Sequence, residues 1–490
     1  MRFLIVLLFL SVSLQFDAQT RFYKLYSGTG FDKGEDVLAL PDTTYLVAGS
    51  SGSWEENAQG FLMKLDSLGN YVWSQAYGAQ ETEEVKRIFY RPGLGYYLAG
   101  MSNSWSAGNF DPMLIFTDLS GNQQWIKTYP HAAWERIHDG TQTIDTGFVL
   151  VGERQATLGS AADLLFMRLD KNGDTLWTKT IGTAGTDRAN SIVRMSDTTY
   201  AVGGEWYVAD SSDTKGFVLL LHDNGQILWF DTLGHLSGEF AVLDLTKNLY
   251  GLQFSGYRLK SDGDYDKFSG SVDQNGVVLT QVAPVEATGY TDIIQQLAYL
   301  PQQDLTILGV QVLNSNTFQD PYDLYFGYGD AFYGYWITGW PSSTILNEGN
   351  DYIGNIRPTL DGGFIAVGMN SVIVDGQNQL NGGSNIFVLK VNGDGSAYVQ
   401  TDTVFTTQQL VGLTPAFEGS HVQVFPNPAV THFAFKWEGG MPKKVVVTNQ
   451  IGQMIWSGEL VPDELLRVEN WSKGIYLVTV DNQVFPLLKE

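Results

Sequence analysis

LDKNGDTLW at residues 169–177 belongs to a set of four related segments that decides the fold. The other three are LDSLGNYVW at 65–73, TDLSGNQQW at 117–125 and HDNGQILW at 222–229. Their tryptophans stand in register, 52 residues apart each time. Self-similarity at a period near 50 residues predicts a repeat architecture in which each unit buries its apolar surface against its neighbours.

A second recurring piece precedes each of these segments and reads as a polar turn, an apolar strand and a glycine. Its copies are DTTYLVAGS at 42–50, GLGYYLAGMS at 93–102, DTGFVLVGE at 145–153, DTTYAVGGE at 197–205 and DGGFIAVGM at 361–369. Each unit then divides into four short strands separated by Asp, Gly and Asn turns, the count of a propeller blade. We therefore predict an all-β fold: a β-propeller of about seven four-stranded blades, followed by a small immunoglobulin-like β-sandwich.

The repeated residue types have structural explanations that need no ligand. In the Asp66–Gly69 turn, the aspartate suits capping of backbone amides and the glycine suits a positive φ. Each tryptophan offers a large flat surface to pack between neighbouring blades. The segment Phe22–Ser27 looks like the last strand of a unit that lacks its first three, so we expect it to complete the final blade and close the ring.

The ends of the chain predict export. Arg2 precedes the apolar run Phe3–Leu10, and the small residue Ala18 follows, which is the order of a signal peptide at 1–18. That run is too short to cross a bilayer, and no later run is longer, so we expect no membrane span. We place the propeller at 20–404, a linker at 405–420 and a C-terminal domain at 421–490.

Composition limits the class of partner. The 490 residues hold 53 Asp and Glu against 29 Lys and Arg, a net charge of −24 that repels phosphate backbones, so we expect no nucleic-acid partner. There is no cysteine, which removes disulfides, thiol nucleophiles and cysteine zinc sites.

The repeats resemble the tryptophan-docking repeats of bacterial propellers and are similar to repeats common in secreted Bacteroidota proteins. The resemblance rests on the Asp-x-x-Gly turns with tryptophan four residues after the glycine, and on GTAGTDRANSIV joined to DTTYAVGG. Quinone-dependent dehydrogenases share the docking arrangement. Here the Asp-to-Gly spacing is one residue shorter and adjacent cysteines are impossible, so we expect no cofactor.

The C-terminal domain resembles the type A sorting domain of the type IX (Por) secretion system. The matching residues are Pro426, Asn427 and Pro428 in the first turn, Gly452 in the central hairpin, and Gly474 and Tyr476 before the penultimate strand. The resemblance implies recognition by the type IX secretion machinery, and a protein that is secreted or held at the outer cell surface.

Three tryptophans are the candidate ligand-binding residues. Trp54 and Trp105 each follow a strand-ending glycine by five residues, and Trp206 closely follows Gly203 and Gly204, so we expect all three in loops on one face of the ring. Exposed indoles can stack on sugar rings or grip a peptide. The alternative is that they fold back as caps over the next strand.

Two further clusters carry weaker signals. Asp262, Asp264 and Asp266 alternate as at the opening of a calcium loop, but Lys267 stands where such a loop needs glycine. His131, Glu135 and His138 we interpret as a solvated loop, because the spacing of a zinc-binding helix is absent.

The sequence therefore favours a secreted or surface-displayed propeller that acts as a binding module for a glycan or a protein. The alternatives are an extracellular polysaccharide-directed enzyme, whose acids the sequence does not identify, and a structural surface or matrix component. No catalytic residue is nominated.

Overall fold

The structure is a computed structural model. It describes residues 21–28, 30–53, 57–105, 109–211, 213–234, 237–261, 263–282, 290–314, 323–330, 336–337, 352–370, 384–391, 408–409, 423–425, 431–436, 442–449, 454–461, 464–480 and 483–489. The predicted signal peptide lies outside them. All regular elements in these ranges are strands, and no helix there could cross a membrane. The chain divides into two compact units, Met1–Leu413 and Thr414–Glu490.

In the described residues of the first unit there are seven sheets, antiparallel except for one short parallel pair in the seventh, and they are the blades of the predicted propeller. Blade 1 comprises β2 (Asp32–Ala39), β3 (Tyr45–Ser51), β4 (Gln59–Leu65) and β5 (Tyr71–Tyr77). Blade 2 comprises β6 (Glu83–Arg91), β7 (Gly95–Ser102), β8 (Asp111–Thr117) and β9 (Gln123–Thr128). Blade 3 comprises β10 (Trp134–Gln142), β11 (Phe148–Gln155), β12 (Ala162–Leu169) and β13 (Thr175–Ile181). Blade 4 comprises β14 (Arg188–Arg194), β15 (Thr199–Val208), β16 (Asp213–His222) and β17 (Ile227–Leu233).

The remaining blades follow the same plan. Blade 5 comprises β18 (Glu239–Lys247), β19 (Leu252–Leu259), β20 (Tyr265–Val272) and β21 (Val278–Val282). Blade 6 comprises β22 (Tyr290–Leu300), β23 (Leu305–Asn314), β24 (Asp323–Asp330) and β25 (Trp336–Ile337). Blade 7 comprises β26 (Tyr352–Pro358), β27 (Phe364–Asn370), β28 (Asn385–Val391), β1 (Phe22–Ser27) and β29 (Gln408–Gln409).

The ring closes through the first described strand of the chain. β1 pairs antiparallel with β28, so that Phe22 lies opposite Lys390 and Tyr26 opposite Ile386. The first strand of each blade packs against the first strand of the next, and β2 of blade 1 packs against β26 of blade 7. The prediction that Phe22–Ser27 completes the last blade is confirmed. Blade 7 thereby joins the two ends of the ring without an open gap between blades.

The main cores lie between blades. Val47 and Phe61 of blade 1 share one apolar cluster with Ile365 and Val367 of blade 7. Similar clusters join blades 1 and 2, 2 and 3, 3 and 4, and 4 and 5. A single blade therefore cannot bury its apolar faces alone, as expected for a repeat architecture.

The repeated aspartates and glycines build the outer turns as the sequence predicts. Asp66 Oδ1 accepts hydrogen bonds from the backbone N–H groups of Leu68 (2.8 Å) and Asn70 (2.7 Å). Gly69 has a φ of +71°, a conformation that favours glycine. Asp118, Asp170 and Asp273 form the same turn, with positive φ at Gly121, Gly173 and Gly276.

Each repeated tryptophan docks on the turn of the following blade. A Cβ atom added to Gly121 of blade 2 would lie 2.6 Å from the ring of Trp73 of blade 1. Trp125 covers Gly173 and Trp229 covers Gly276 in the same way. Phe22 of the closing strand takes this place over Gly69, where an added Cβ would lie 2.6 Å from its ring. Trp177 meets the next turn differently: its Nε1–H donates to the Asp223 carbonyl at 3.0 Å, and Lys179 lies over Gly225. Among the described residues, a ring on glycine therefore links blades 1 and 2, 2 and 3, 4 and 5, and 7 and 1.

A second set of contacts joins the blades at their inner edge. The first strand of every blade contains a β-bulge. The residue after the bulge is polar in every blade, and we call these residues the inner polar ring: Asp36, Arg87, Asp139, Ser191, Asp244, Gln296 and Asn355. Several bridge neighbouring blades. Asp244 Oδ2 accepts the backbone N–H of Leu297 at 2.7 Å, and Asn355 Nδ2 donates to Asp36 Oδ1 at 2.7 Å.

The second unit forms two small sheets around one core. The first sheet has β30 (Gln423–Phe425), β31 (His432–Lys436) and β34 (Leu465–Arg467); the second has β32 (Lys443–Asn449), β33 (Met454–Leu460), β35 (Gly474–Val480) and β36 (Gln483–Lys489). Phe433 and Leu466 of the first sheet pack with Val445, Val447 and Val478 of the second. Two sheets with a shared core fit the predicted sandwich; the immunoglobulin-like topology stays a prediction.

The aromatic docking contact predicts different effects for two glycine substitutions. Gly93 and Gly121 both have positive φ, but an added Cβ meets nothing within 4 Å at Gly93 and meets Trp73 at Gly121. We expect Gly93→Ala to lower the free energy of unfolding by about 1 kcal/mol through backbone strain alone. Gly121→Ala should lower it by about 1–3 kcal/mol more because the ring must move. Urea unfolding of both variants measures this, and equal losses would show that the docking contact is weak.

The inner polar ring predicts a pH dependence of stability. Burial, only partly offset by the hydrogen bond from Leu297, raises the pKa of Asp244 to about 6. Because the folded state holds the proton more tightly than the unfolded state, this carboxyl favours folding at low pH. That contribution is lost as the pH rises from about 4 through about 6, by roughly 1.4 kcal/mol per unit.

The test compares the wild type with Asp244→Asn, which cannot ionise, by urea unfolding at intervals from pH 4 to pH 7. The wild type should lose stability relative to the variant as the pH rises. Asp273→Asn is the control: hydrogen bonds from its own turn lower the pKa of Asp273, so its contribution is lost only below about pH 4, and the difference between wild type and this variant should stay nearly constant from about pH 4 to pH 7. A constant difference between wild type and Asp244→Asn would contradict the assignment.

Candidate functional site

The start of each first strand and the end of each second strand lie at one edge of the blade. In blade 3 Arg136 lies opposite Glu153, and in blade 4 Arg188 lies opposite Glu205. The loops between blades and between second and third strands leave from this edge, at one mouth of the central channel that the first strands surround. Eight charged residues of blades 1–4 gather there, and we call them the charged arc: Lys33, Glu35, Glu84, Lys86, Arg136, Glu153, Arg188 and Glu205.

Glu35 is the centre of the first half of the charged arc. Its Oε1 lies 2.8 Å from Lys33 Nζ and 2.7 Å from Lys86 Nζ, and the Tyr352 hydroxyl donates to its Oε2 at 3.2 Å. Burial alone would raise the pKa of Glu35, but Lys86 and Lys33 outweigh burial and lower it to about 2. Burial acts to lower the pKa of Lys86, and Glu35 and Glu84 overcome it and raise that pKa. Both partners therefore stay charged at neutral pH.

Arg188 is the centre of the second half. Its Nε lies 2.7 Å from Glu153 Oε2 and its Nη1 lies 3.3 Å from Glu205 Oε2. Arg136 Nη1 lies 3.5 Å from Glu153 Oε1. Burial raises the pKa of Glu205, and Arg188 opposes that shift. One guanidinium thus holds two carboxylates, and one of these carboxylates also contacts a second guanidinium.

His138 interacts electrostatically with both halves of the charged arc. It is the bulged residue of β10, between Ile137 and Asp139. Burial lowers its pKa, Glu153 opposes the shift, and Lys86 and Arg188 add to it. The imidazole is therefore neutral at pH 7 and can both donate and accept a hydrogen bond.

Aromatic rings adjoin the arginines of the arc. The Arg136 guanidinium lies 5.8 Å from the centre of the Phe110 ring and 5.9 Å from that of Trp134. The two rings are 6.0 Å apart. The backbone N–H of Glu135 donates to the Phe110 carbonyl at 2.8 Å, which ties the loop after β7 to the start of β10. Trp105 lies in the same loop with 41% of its surface exposed.

The structure tests where the three predicted tryptophans lie. Trp105 is in a loop and exposed, as expected. Trp54 lies outside the described residues. The prediction that Trp206 lies in a loop is wrong: it belongs to β15, and its ring packs 4.9 Å from Phe230 and 6.5 Å from Phe217. The hairpin of β15 and β16 extends four residues beyond Gly204, which keeps this indole on the sheet. A ligand role for the three tryptophans stays a prediction.

The predicted acidic loop contains paired residues. Lys260 Nζ lies 2.9 Å from Asp264 and 3.2 Å from Asp266, and Arg258 lies 3.8 Å from Asp266. Asp262 is outside the described residues. Within the parts of the chain that the structure describes, no group of three or more His, Asp or Glu side chains could hold a metal ion. Calcium binding here stays a prediction without structural support.

The histidine cluster is placed differently from its interpretation as a solvated loop. Glu135 and His138 belong to β10, and Glu135 is buried and paired with Arg154. His131 precedes the strand, and its Nδ1 accepts the backbone N–H of Ala133 at 3.0 Å. The loop interpretation is therefore wrong for Glu135 and His138, and His138 adjoins the charged arc instead.

Sequence reasoning missed the charged arc because its members are far apart in the chain. One signal was available: the residue after the glycine of the second strand is glutamate only in units 3 and 4, as Glu153 and Glu205. The same place holds Ser50, Met101 and Met369 in other units. Departure from a repeat at a fixed position is a mark of a functional site.

Two of the six sorting-domain residues lie in the described part of the second unit. Gly474 begins β35, and Tyr476 is buried beside Trp471, with ring centres 4.9 Å apart. The Tyr476 hydroxyl donates to the Ser472 carbonyl at 2.7 Å. Pro426, Asn427, Pro428 and Gly452 lie outside the described residues.

Comparison with known proteins finds a matching family and similar solved structures. Residues 423–486 match the family described as secretion system C-terminal sorting domain. No curated protein matches the chain. Among solved structures, the Pan2 WD40 domain of Neurospora crassa is similar at 11% identity and a TM-score of 0.43, covering 75% of this chain and 90% of its own.

Two further solved structures are similar to the propeller. Sqt1 from Chaetomium thermophilum has 11% identity and a TM-score of 0.43, with 75% of this chain and 98% of its own covered. The WD40 propeller domain of Doa1 has 12% identity and a TM-score of 0.40, with 76% and 99% covered. The chain thus combines a seven-bladed β-propeller with a secretion system C-terminal sorting domain, which implies export through the type IX system to the extracellular or cell-surface space.

Proposed function

We propose that this protein is an exported recognition module whose ligand contacts the charged arc. The protein is recognised by the type IX secretion machinery through its C-terminal domain, and the propeller acts after export. The ligand is a glycan or a protein. The exposed Trp105 lies in the loop that Phe110 ties to the start of β10, beside Arg136 of the arc, so a ligand can contact both.

The observation that carries this proposal is the lack of repetition at the arc. Residues that build the ring recur from blade to blade, as the docking tryptophans and turn glycines do. The residue two positions before each bulge occupies an equivalent place in all seven blades but is different in character: Lys33, Glu84, Arg136, Arg188, Ala241, Ile293 and Tyr352. Ala241 and Ile293 show that a blade also forms with an uncharged side chain at this place. Charge in blades 1–4 is therefore not a requirement of the propeller.

The energetics support the same proposal. Glu35 and Glu153 each keep only 4% of the side chain exposed. Removing carboxylates and their partners from water costs several kcal/mol per ion, and the attraction between them often does no more than offset it. Apolar side chains of similar size would stabilise the ring as well. Buried charges that bring little net stability suggest a role outside folding.

A structural component of the cell surface is the second candidate, and one feature favours it. Two ion pairs of the arc join different blades, Lys86 to Glu35 across blades 1 and 2 and Arg188 to Glu153 across blades 3 and 4. Such pairs can stiffen the ring without any ligand. The two candidates differ in what an arc substitution changes: ligand affinity in the first case, and only the free energy of unfolding in the second.

The test screens the full-length chain against arrays of glycans and peptides and compares two substitutions on β14. Arg188→Gln alters the arc, and Arg194→Gln alters an exposed arginine about 20 Å away at the other end of the same strand. We expect the bound ligand to lose at least about tenfold in affinity with Arg188→Gln, since a hydrogen bond from a charged donor contributes about 1.5–3 kcal/mol. Arg194→Gln should bind as the wild type does.

Three other results would change the conclusion. Equal binding by both variants would place the ligand elsewhere and contradict the proposal. A loss of stability in Arg188→Gln, with no ligand on either array, would favour the structural component. Cleavage of an arrayed polysaccharide would favour the alternative of an extracellular polysaccharide-directed enzyme.

A further inference from the structure

We propose that the ligand of the charged arc is an acidic polysaccharide, and that Arg136 and Arg188 bind its carboxylate or sulfate groups. This inference rests on the proposed function, because it names the chemistry of what the arc binds. It is carried by three observations: the exposure of the charges, the geometry of the two arginines, and the rings beside them.

Three of the four cations of the arc, Lys33, Arg136 and Arg188, are more exposed than the carboxylates they contact. Arg136 and Arg188 expose 33% and 38% of their side chains, whereas Glu153, which contacts both, exposes 4%. In the first half Lys33 exposes 32% and Glu35 exposes 4%, whereas Lys86 exposes 14% beside Glu84 at 27%. A ligand that approaches the second half of the arc therefore meets Arg136 and Arg188 before Glu153. An anionic group is therefore the complementary partner.

Arg188 is held in place before any ligand arrives. Arg188 contacts Glu153 through Nε and Glu205 through Nη1, so two carboxylates from different blades fix the plane of its guanidinium. A guanidinium carries five N–H donors in a rigid fork that matches the oxygens of a carboxylate or a sulfate. Fixing the fork in advance reduces the conformational entropy that binding must remove.

The rings beside Arg136 favour a sugar polymer over an acidic peptide. Trp134 and Phe110 flank its guanidinium, and both keep part of their surface in solvent. Trp105 belongs to the same loop as Phe110 and is 41% exposed. Flat aromatic faces next to a cation suit a sugar ring that carries an acidic substituent, because the sugar ring stacks on the aromatic ring while the guanidinium binds the acid.

The net charge of the protein limits how it can bind an acidic polymer. At −24 the whole molecule repels polyanions, so general electrostatic attraction cannot produce binding to an acidic polymer. Such binding requires a local cationic site. Binding that depends on single arginines of the arc would identify that site.

The experiment titrates the full-length chain with four polymers: polygalacturonate, dextran sulfate, neutral dextran and poly-glutamate. Polygalacturonate offers carboxylates and dextran sulfate offers sulfates, so these two arms identify the acidic group. We expect one or both to bind, and dextran and poly-glutamate not to bind. Arg136→Gln and Arg188→Gln should each weaken binding about tenfold or more, and Arg194→Gln should leave it unchanged.

Arg136→Gln provides a second test if Arg188→Gln does not fold. Arg136 contacts Glu153 at 3.5 Å, against 2.7 Å for Arg188, so its loss should destabilise the fold less. Poly-glutamate binding that depends on both arginines would overturn the inference in favour of an acidic peptide and leave the arc as the site. Neutral dextran bound through the arc would overturn it in favour of an uncharged glycan. If an acidic polymer binds equally to wild type and both arc variants, the inference and the proposed function both fail. If no acidic polymer binds, only the inference fails.

Discussion

The packing of an aromatic ring from one blade onto the turn of the next recurs at four junctions of the described ring and, with the cores between blades, holds neighbouring blades together. Trp73 lies on Gly121 and Trp125 on Gly173, and Phe22 from the start of the described chain lies on Gly69. This contact requires glycine beneath the ring, because a Cβ would enter the aromatic face. Since the cores also lie between blades, no blade is stable alone, and the closing strand is necessary for blades 1 and 7 alike.

The propeller could be predicted from sequence because its determinants recur. Asp66 and Gly69 mark a turn whose type is fixed by local chemistry, and tryptophans in register report a period that no single strand reveals. The inner edge could not be predicted, because a bulge leaves no clear mark in sequence and its polar residues range from Arg87 to Ser191. The wrong placement of Trp206 has a similar origin: the glycine was taken as the end of the strand, but the second strands continue past it, by two residues in blade 1 and by four in blade 4.

The candidate site was beyond sequence analysis for a different reason. Its residues lie at equivalent places in blades 1–4, about 52 residues apart, and each blade supplies a different side chain. A search for repeats detects residues that recur, whereas the residues of this site differ from blade to blade. Glu153 and Glu205 were visible after their glycines, but only the structure shows that Arg188 joins them. Repetition therefore identifies the scaffold, and departure from it identifies the site.

The contrast between the whole protein and the charged arc also limits how a ligand can be selected. At physiological ionic strength charges are screened beyond about 8 Å, so the net negative charge acts weakly inside the channel mouth. There the exposed guanidiniums of Arg136 and Arg188 dominate, with Glu153 buried behind both. Long-range electrostatic attraction between the protein and an anion is therefore small. The anion is recognised only when it reaches the N–H donors of the two guanidiniums. Selection then depends on the position of the acidic group along the ligand and on the rings that hold its neighbours, not on total charge.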